Sequence, residues 1–392
     1  MKHFKEFEPG YDFTAKTFAG LEEVLAAELK SLGAKDIETT RRAVYFRGDQ
    51  KLMYRCNYEC RTALRILKPI GIFTVNNENE LYDKLKKIDW TLHFNEKKSI
   101  LIKTNLFHSN ITHSHFASLK AKDAIVDFFR EKRRKRPDVA KDDPDIVIDL
   151  HINKNRCTVS LDGSGHTLNK RRYRVASDKA PINEVLAAGM IQLTEWDKTG
   201  DFIDPMCGSG TIAIEAAMYA MNIPAGYYRN DYSFMHWNDF DEKLWKEIKS
   251  GADAKITEHD FPVIASDKSF RAFGIARTNI KFAGLHKDIT LLNKPFDKIN
   301  PETGSGILVF NPPYGERLKD KEITELYKMI GDVLKNKFPG YKAWIITANP
   351  QAAKSIGLHA SKKIILYNGQ LESRFLKFDI YSGSKKKKKT NH

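Results

Sequence analysis

Two short stretches of this sequence combine residue types that could bind and activate a small molecule. Residues 201–211 read as a short apolar strand, a glycine-rich turn and the start of an alanine-rich helix predicted over 211–221, and residues 311–314 read Asn-Pro-Pro-Tyr. Gly208 and Gly210 have no Cβ. The backbone of the turn can therefore lie against a nucleotide-like ligand at the N-terminus of the helix.

The acidic residue at the end of the predicted strand narrows the kind of ligand. The carboxylate of Asp204 suits a cation better than a phosphate. S-Adenosylmethionine (SAM) fits this requirement, because its amino acid end carries an ammonium group beside a sulfonium. The candidate cofactor-binding residues of the turn are Asp204, Pro205, Cys207, Gly208, Ser209, Gly210 and Thr211.

A dinucleotide site is the alternative that this turn raises. Gly208, Gly210 and Ala213 have the spacing of a dinucleotide fingerprint, which requires an acidic residue about 20 positions further on. The next acid at a predicted strand end is Asp267, which follows the apolar run 263–266 and lies 57 positions after Gly210. This distance disfavours a dehydrogenase.

The second stretch has the residue types needed to activate an amine. Residues 306–310 form an apolar run typical of a buried parallel strand, and the two following prolines must turn the chain out at its carboxyl edge. The side-chain oxygen of Asn311 and the carbonyl of Pro312 can accept hydrogen bonds from both N–H groups of a nucleobase amine, and Tyr314 can stack on the base. These three are candidate catalytic residues, although an ordinary strand-to-turn boundary also often reads Asn-Pro.

Both motifs also indicate a family. The Asp-Pro-x-Cys-Gly-Ser-Gly-Thr turn at 204–211 and the Asn-Pro-Pro-Tyr-Gly-Glu-Arg-Leu segment at 311–318 together resemble the class I SAM-dependent RNA methyltransferases with an N-terminal THUMP domain. Among these, the sequence is most similar to bacterial enzymes that methylate the 2-amino group of a guanine in large-subunit ribosomal RNA. The resemblance implies an α/β fold in which ferredoxin-like and THUMP domains precede a Rossmann-like domain with a seven-stranded, mostly parallel sheet.

The resemblance implies roles for further residues. Asp267 lies where class I methyltransferases place the acid that binds both ribose hydroxyls of SAM, and a helix N-cap with Ser266 is the alternative. Asn293 follows the predicted strand 289–292, where the family often has an acid near the adenine, so Asn293 or a backbone amide is expected to substitute. Asn311 is expected to contact the cofactor too, and S-adenosylhomocysteine is the expected product.

The resemblance divides the chain into a ferredoxin-like domain, a THUMP domain, a methyltransferase domain and a basic tail, at residues 1–55, 56–166, 167–384 and 385–392. In the first two parts, periodicity predicts strands at 12–17, 43–47, 68–75, 99–106, 146–152 and 156–162. It predicts helices at 21–29, 54–67 and 119–129. In the third, it predicts strands at 202–203, 263–266, 289–292, 306–310, 343–347, 363–367 and 374–381. The insertion 223–262 is rich in aromatic residues, for which packing is the expected role.

Composition limits the class of protein. No run approaches 18 apolar residues and the first residues lack an apolar segment, so we expect a cytoplasmic protein without membrane insertion. Four cysteines are too few for a disulfide framework. Cys56 and Cys60 are spaced for one face of a helix, but without a second pair we expect them to be buried and expect no metal.

The charge predicts a polyanionic partner. The formal net charge is +15 and the pI is near 9.4, with basic residues clustered at 130–136, 170–174 and 385–389. Such runs also occur on solvated faces, but the THUMP resemblance implies RNA binding through shape and phosphate contacts. The candidate RNA-binding residues are Lys132, Arg133, Arg134, Arg136, Lys170, Arg171 and Arg174.

Three other functions stay open. DNA methyltransferases that act on the amine of adenine or cytosine share the Asn-Pro-Pro-Tyr motif, and related THUMP enzymes modify transfer RNA. A non-catalytic RNA-binding or ribosome assembly factor would also need the basic residues. The residues of the site therefore predict methylation of an amine, whereas the base and the RNA are inferred from the resemblance.

Overall fold

The computed structural model describes residues 11–177, 181–313 and 320–381 and divides the chain into two compact units. The first unit contains the residues up to 171 together with 224–255, and the second contains 172–223 and the residues from 256 onward. Each unit contains one seven-stranded sheet. None of the helices within the described ranges is both long and apolar enough to cross a membrane.

The first unit is a mostly antiparallel sheet covered on one face by helices. Its elements before residue 171 are β1 (Phe13–Lys16), α1 (Glu22–Ser31), β2 (Lys35–Thr40), β3 (Ala43–Arg47), α2 (Gln50–Glu59), β4 (Arg65–Thr74), α3 (Glu78–Lys86), β5 (Ile100–Phe107), α4 (Ser114–Arg133), β6 (Ile146–Asn153) and β7 (Arg156–Asp162). The strand order is β2-β3-β1-β4-β7-β6-β5, with β5 and β6 parallel. One hydrophobic core joins the predicted ferredoxin-like and THUMP parts.

The bounds of one helix predicted for this unit are wrong. The helix predicted at 54–67 begins and ends earlier, as α2. The side chain of Asp49 caps its start by accepting a hydrogen bond from the amide of Leu52, and the backbone is already extended at Cys60. The domain boundary predicted between 55 and 56 falls inside this helix. The exposed polar edge strand β2 was not predicted, since it has no apolar alternation.

The insertion also departs from the prediction, because its central part belongs to the first unit. Helix α7 (Glu242–Asp253) and the residues before it lie in segment 224–255, which was assigned to the methyltransferase domain. The aromatic residues pack as expected: the rings of Phe234 and Tyr54 stack with centroids 4.5 Å apart, and Trp245 meets Tyr58 edge-on. These contacts place the segment in the core of the first unit.

The second unit is the predicted seven-stranded, mostly parallel sheet. Its elements are α5 (Glu184–Leu193), β8 (Asp201–Asp204), α6 (Thr211–Ala220), β9 (Val263–Ser266), α8 (Phe270–Phe282), β10 (Ile289–Leu292), β11 (Gly306–Phe310), α9 (Asp320–Lys337), β12 (Lys342–Thr347), α10 (Pro350–Lys354), β13 (Lys362–Asn368) and β14 (Leu371–Asp379). The order is β10-β9-β8-β11-β12-β14-β13, and only β14 runs antiparallel to its neighbours. The chain reverses its direction across the sheet between β8 and β11, where open α/β sheets bind ligands.

Candidate active site

The ends of four neighbouring parallel strands carry the predicted site residues. Asp204 is the last residue of β8, and Asp267, Asn293 and Asn311 directly follow β9, β10 and β11. These strands are adjacent and parallel, so their carboxyl ends lie along one edge of the sheet. The glycine turn after β8 and the proline segment after β11 therefore meet at this edge, although about a hundred residues separate them.

Asp204 places a buried carboxyl group at this edge, which carries a negative charge when ionised. Its side chain is fully buried, and neither carboxylate oxygen has a hydrogen-bond partner of normal geometry among the described residues. Burial and the nearby charge of Asp267 raise the pKa of Asp204 well above its usual range, and the amides of Met206 and Ala213 oppose that rise only in part. A bound cation would compensate for this charge, since a buried carboxylate without a partner is unfavourable.

The two glycines of the turn serve different purposes. Both have positive φ, 54° at Gly208 and 81° at Gly210, which favours glycine. A Cβ added at Gly208 would meet no described atom within 4 Å, so this face of the turn is open to a ligand. A Cβ at Gly210 would lie 3.3 Å from that of Ala276, so this glycine allows α6 and α8 to approach closely.

Asp267 fixes the geometry of the glycine turn. Its carboxylate accepts a hydrogen bond from the amide of Gly208 at 3.0 Å and another from the amide of Ser269 at 2.9 Å. The N-cap of α8 is Ser269, so the alternative in which Asp267 caps this helix with Ser266 is wrong. Asn293 is exposed, and its side-chain amide donates to the carbonyl of Asp267 at 2.8 Å. These contacts connect the ends of β8, β9 and β10.

Asn311 places a side-chain acceptor at this edge. The residue is half-buried, and its Oδ1 is shielded from solvent and has no hydrogen-bond partner among the described residues. Pro312 is buried. Tyr314 lies outside the described residues, so its predicted stacking role stays a prediction. An unpaired buried acceptor is unfavourable unless a ligand donates to it.

Asn279 is a positioning residue that the sequence reading missed. It is buried on α8, and its Nδ2 donates to the carbonyls of Ser209 at 3.0 Å and Ala176 at 2.9 Å. Its Oδ1 accepts from the amides of Val175 and Ala176, both at 3.0 Å. Asn279 therefore fastens the segment before α5 to the glycine turn. The available signal was an asparagine close to the apolar positions Ala276 and Ile280 of one helix.

The predicted RNA-binding residues divide into exposed and buried groups. Those at the end of α4 and in the linker are exposed: Lys132, Arg133, Arg134, Arg136 and Lys170. Arg171 is only 1% exposed and donates to the carbonyls of Leu168 and Arg61, and Arg174 forms a largely buried ion pair with Glu184 at 2.9 Å. Both arginines therefore hold protein structure, and we omit them from the RNA surface. The basic run 385–389 lies outside the described residues.

The four cysteines are buried thiols. All four are buried and free, and burial raises the pKa of Cys157 and Cys207. Cys60 also has a raised pKa, first through its hydrogen bond with Cys56 and then through burial. No group of three or more potential metal ligands occurs within the described part of the chain.

The parallel sheet, its glycine turn with a buried acid and the adjacent Asn-Pro-Pro segment define a Rossmann-like domain of the class I methyltransferase type. The profile of the "RMKL-like, methyltransferase domain" family matches residues 171–377, a THUMP profile matches 75–162, and an "RlmL ferredoxin-like domain" profile matches 12–67. The first of these covers more than half of the chain. The chain therefore belongs to the RMKL-like methyltransferase family and has a ferredoxin-like and a THUMP domain before the methyltransferase domain.

Individual relatives agree with this assignment. The chain is 36% identical over 373 residues to "Putative RNA methyltransferase slr0064" of Synechocystis sp., covering 94% of this chain and 97% of that protein. It is 36% identical to "Ribosomal RNA large subunit methyltransferase K/L" of Syntrophotalea carbinolica over 94% of this chain, but spans only 53% of that protein. The crystal structure of SMU.472, "a putative methyltransferase complexed with SAH", superposes with a TM-score of 0.86 at 29% identity, covering 96% of this chain and all of that one.

Proposed function

We propose that this protein transfers a methyl group from SAM to the 2-amino group of a guanine in RNA, with large-subunit ribosomal RNA as the substrate. The observation that carries the proposal is the buried Oδ1 of Asn311, which has no donor among the described residues and lies next along the sheet edge to the buried carboxylate of Asp204, which has no hydrogen-bond partner of normal geometry there. One group can accept from an amine and the other can balance a cation. The amine belongs to the guanine, and the cation is SAM.

The residues at the sheet edge fit SAM. Asp204 would balance the positively charged amino acid end, and Gly208 leaves open space beside the backbone. Asp267 is half-buried and already holds the turn, and its remaining lone pairs are available to ribose hydroxyls. When bound, SAM supplies a methyl group on a sulfonium, which is a good leaving group.

The chain's own residues would act on the amine. Asn311 Oδ1 and the carbonyl of Pro312 accept hydrogen bonds from the two N–H groups of the amine. These bonds turn the nitrogen lone pair out of the plane of the base and fix the direction of attack. A nitrogen–carbon bond then forms as the carbon–sulfur bond breaks, and the amine proton leaves to solvent. Stacking of the base on Tyr314 belongs to the same proposal.

The substrate class is supported by the amino-terminal half. A THUMP domain precedes the methyltransferase domain, exposed basic residues end α4, and both curated relatives are named as acting on RNA. The relative named for large-subunit ribosomal RNA supports that RNA as the substrate. The assignment of the 2-amino group of guanine as the methylated group rests on the family resemblance of the two motifs.

The test is methylation of nucleic acids from cells that lack this protein. Purified protein and methyl-labelled SAM are incubated with ribosomal RNA, transfer RNA and DNA, and the products are digested to nucleosides for mass spectrometry. We expect N2-methylguanosine in large-subunit ribosomal RNA alone. Label in transfer RNA or on adenine in DNA would favour those substrates, and failure to bind SAM would support a non-catalytic RNA-binding protein.

A further inference from the structure

The sheet of the first unit has a face that the proposed reaction does not use. On β5, Ile100 and Ile102 point into the core shared with the helices, whereas Lys103 and Phe107 alternate with them on the opposite side. Phe107 is 50% exposed, and its ring lies 5.1 Å from that of His151 on β6. This second face therefore carries aromatic and basic side chains outside the core.

A cavity of about 320 Å³ opens on this face. Strand pairing places His151 opposite Thr158 and Thr158 opposite Ile72, so a row across three strands contributes to its lining. Asn153 and Arg156, at the neighbouring turn of the β6–β7 hairpin, also line it. The volume is at the lower end of the range for small-molecule sites, which suits a single nucleotide.

Two tyrosines form an aromatic wall of the cavity. The rings of Tyr11 and Tyr45 stack with centroids 5.6 Å apart and planes 20° apart. The hydroxyl of Tyr11 donates to the carboxylate of Glu38, and the guanidinium of Arg47 lies over the ring of Tyr11. These contacts hold the ring in place, and the flat faces of tyrosines are surfaces on which bases stack.

The charges at the cavity suit a nucleotide better than an apolar ligand. Arg156 is exposed and can contact a phosphate, and the amide of Asn153 and the carboxylate of Glu38 can pair with the edge of a base. Burial lowers the pKa of His151 to about 4, so its imidazole is neutral at neutral pH and offers a ring and one N–H.

We propose that this face binds an unpaired nucleotide of the RNA, with the base in the cavity against Tyr11 and Tyr45 and a neighbouring phosphate at Arg156. The nucleotide must be unpaired because a base within a duplex exposes neither its faces nor its pairing edge. This inference rests on the proposed function, since it takes RNA as the substrate. It adds a site where the first unit selects single-stranded segments of that RNA.

The test compares binding of fluorescent hexauridine and hexaadenosine with binding of a blunt-ended RNA duplex to the full-length protein. Tyr45→Leu removes the stacking ring, and Arg156→Glu reverses an exposed charge without disturbing the core. Lys30→Glu is the matched control, because Lys30 is exposed on α1 on the helical side of the sheet. We expect both cavity variants to lose about 10-fold in hexamer affinity while duplex affinity stays unchanged. The control should bind both probes like the wild type.

A hexamer carrying 4-thiouridine adds a positional measurement. Irradiation should cross-link it to peptides that contain Tyr45 or Arg156, as mapped by mass spectrometry. Equal hexamer affinity in all variants, no hexamer binding by the wild type, or cross-links confined to other peptides would overturn the inference. Thermal melting by circular dichroism checks the folding of Tyr45→Leu. If Tyr45→Leu is unfolded, the affinity of Arg156→Glu decides the question.

The same protein is assayed for SAM binding and RNA methylation. If the wild type methylates ribosomal RNA but the hexamer measurements are negative, the nucleotide site is wrong and the proposed function stands. If the wild type neither binds SAM nor methylates RNA, the proposed function fails, whatever the hexamer measurements give.

Discussion

Two Asn-Pro dipeptides follow neighbouring strands of the same sheet and differ in one respect. Asn349-Pro350 comes after β12, and the Oδ1 of Asn349 accepts a hydrogen bond at 2.9 Å from the amide of Ala352 as the N-cap of α10. Asn311-Pro312 comes after β11, and the Oδ1 of Asn311 has no donor among the described residues. The same dipeptide therefore caps a helix in one place and leaves a side-chain acceptor without a described donor in the other.

Two carboxylates at this edge repeat the contrast. Both oxygens of Asp267 accept hydrogen bonds from backbone amides, whereas neither oxygen of Asp204 has a hydrogen-bond partner of normal geometry in the described ranges. Under the proposed function, the groups with partners hold the scaffold and the other two bind the reactants.

The largest effect is expected for Asn311→Ala. Loss of the acceptor should lower kcat by about 100- to 1000-fold, as for other groups that stabilise developing charge, while SAM binding measured by calorimetry stays unchanged. Asn349→Ala is the matched control and should retain full turnover when folded. Wild-type turnover by Asn311→Ala would mean that both dipeptides are ordinary strand ends.

A smaller effect is expected for Asp204→Asn. Removing the negative charge should weaken SAM binding by about 10- to 100-fold, which calorimetry can measure. The free energy of unfolding without SAM should be maintained or increased, because an unpartnered buried carboxylate is removed. Asp267→Asn should instead lower both stability and binding. A loss of stability in Asp204→Asn would assign Asp204 to the scaffold.

The raised pKa of Asp204 predicts that SAM binding depends on pH. In the free protein Asp204 is protonated below that raised pKa, and a bound cation favours the ionised form. Binding should therefore release protons, and affinity should rise with pH up to the pKa of the free protein and decline as the pH falls through it. Calorimetry in buffers of different ionisation enthalpy measures the proton release. Asp204→Asn should lack this pH dependence.

The smallest effect is expected for the stability of Asn349→Ala. Loss of the N-cap of α10 should lower the free energy of unfolding by about 1 kcal/mol, measured by urea denaturation. Asn311→Ala removes no side-chain hydrogen bond to the described residues and should unfold at the urea concentration of the wild type. A larger loss of stability for Asn311→Ala would reverse the roles of the two asparagines.

The strands of the second unit were predictable because buried parallel strands are continuous apolar runs that stop at polar residues. Strands β9, β10 and β11 have the bounds that the sequence predicts. Strand β2 and the start of α2 were not predictable from apolar periodicity, since an edge strand can be polar and a cap depends on one aspartate. The sequence also placed Asn311 and Asp204 at strand ends. It could not reveal which polar groups lack hydrogen-bond partners, because partners come from distant parts of the sequence, as Asn279 does for the carbonyl of Ser209.

The excursion of the chain through 224–255 affects how the protein is made. Tyr54 and Tyr58 are synthesised early, but the rings that cover them, on Phe234 and Trp245, follow more than 170 residues later. A ribosome must therefore produce α6 of the second unit before the first unit can complete its core. A fragment that stops at residue 171 would leave these tyrosines uncovered, so expression of the first unit alone would require 224–255 to be joined to it.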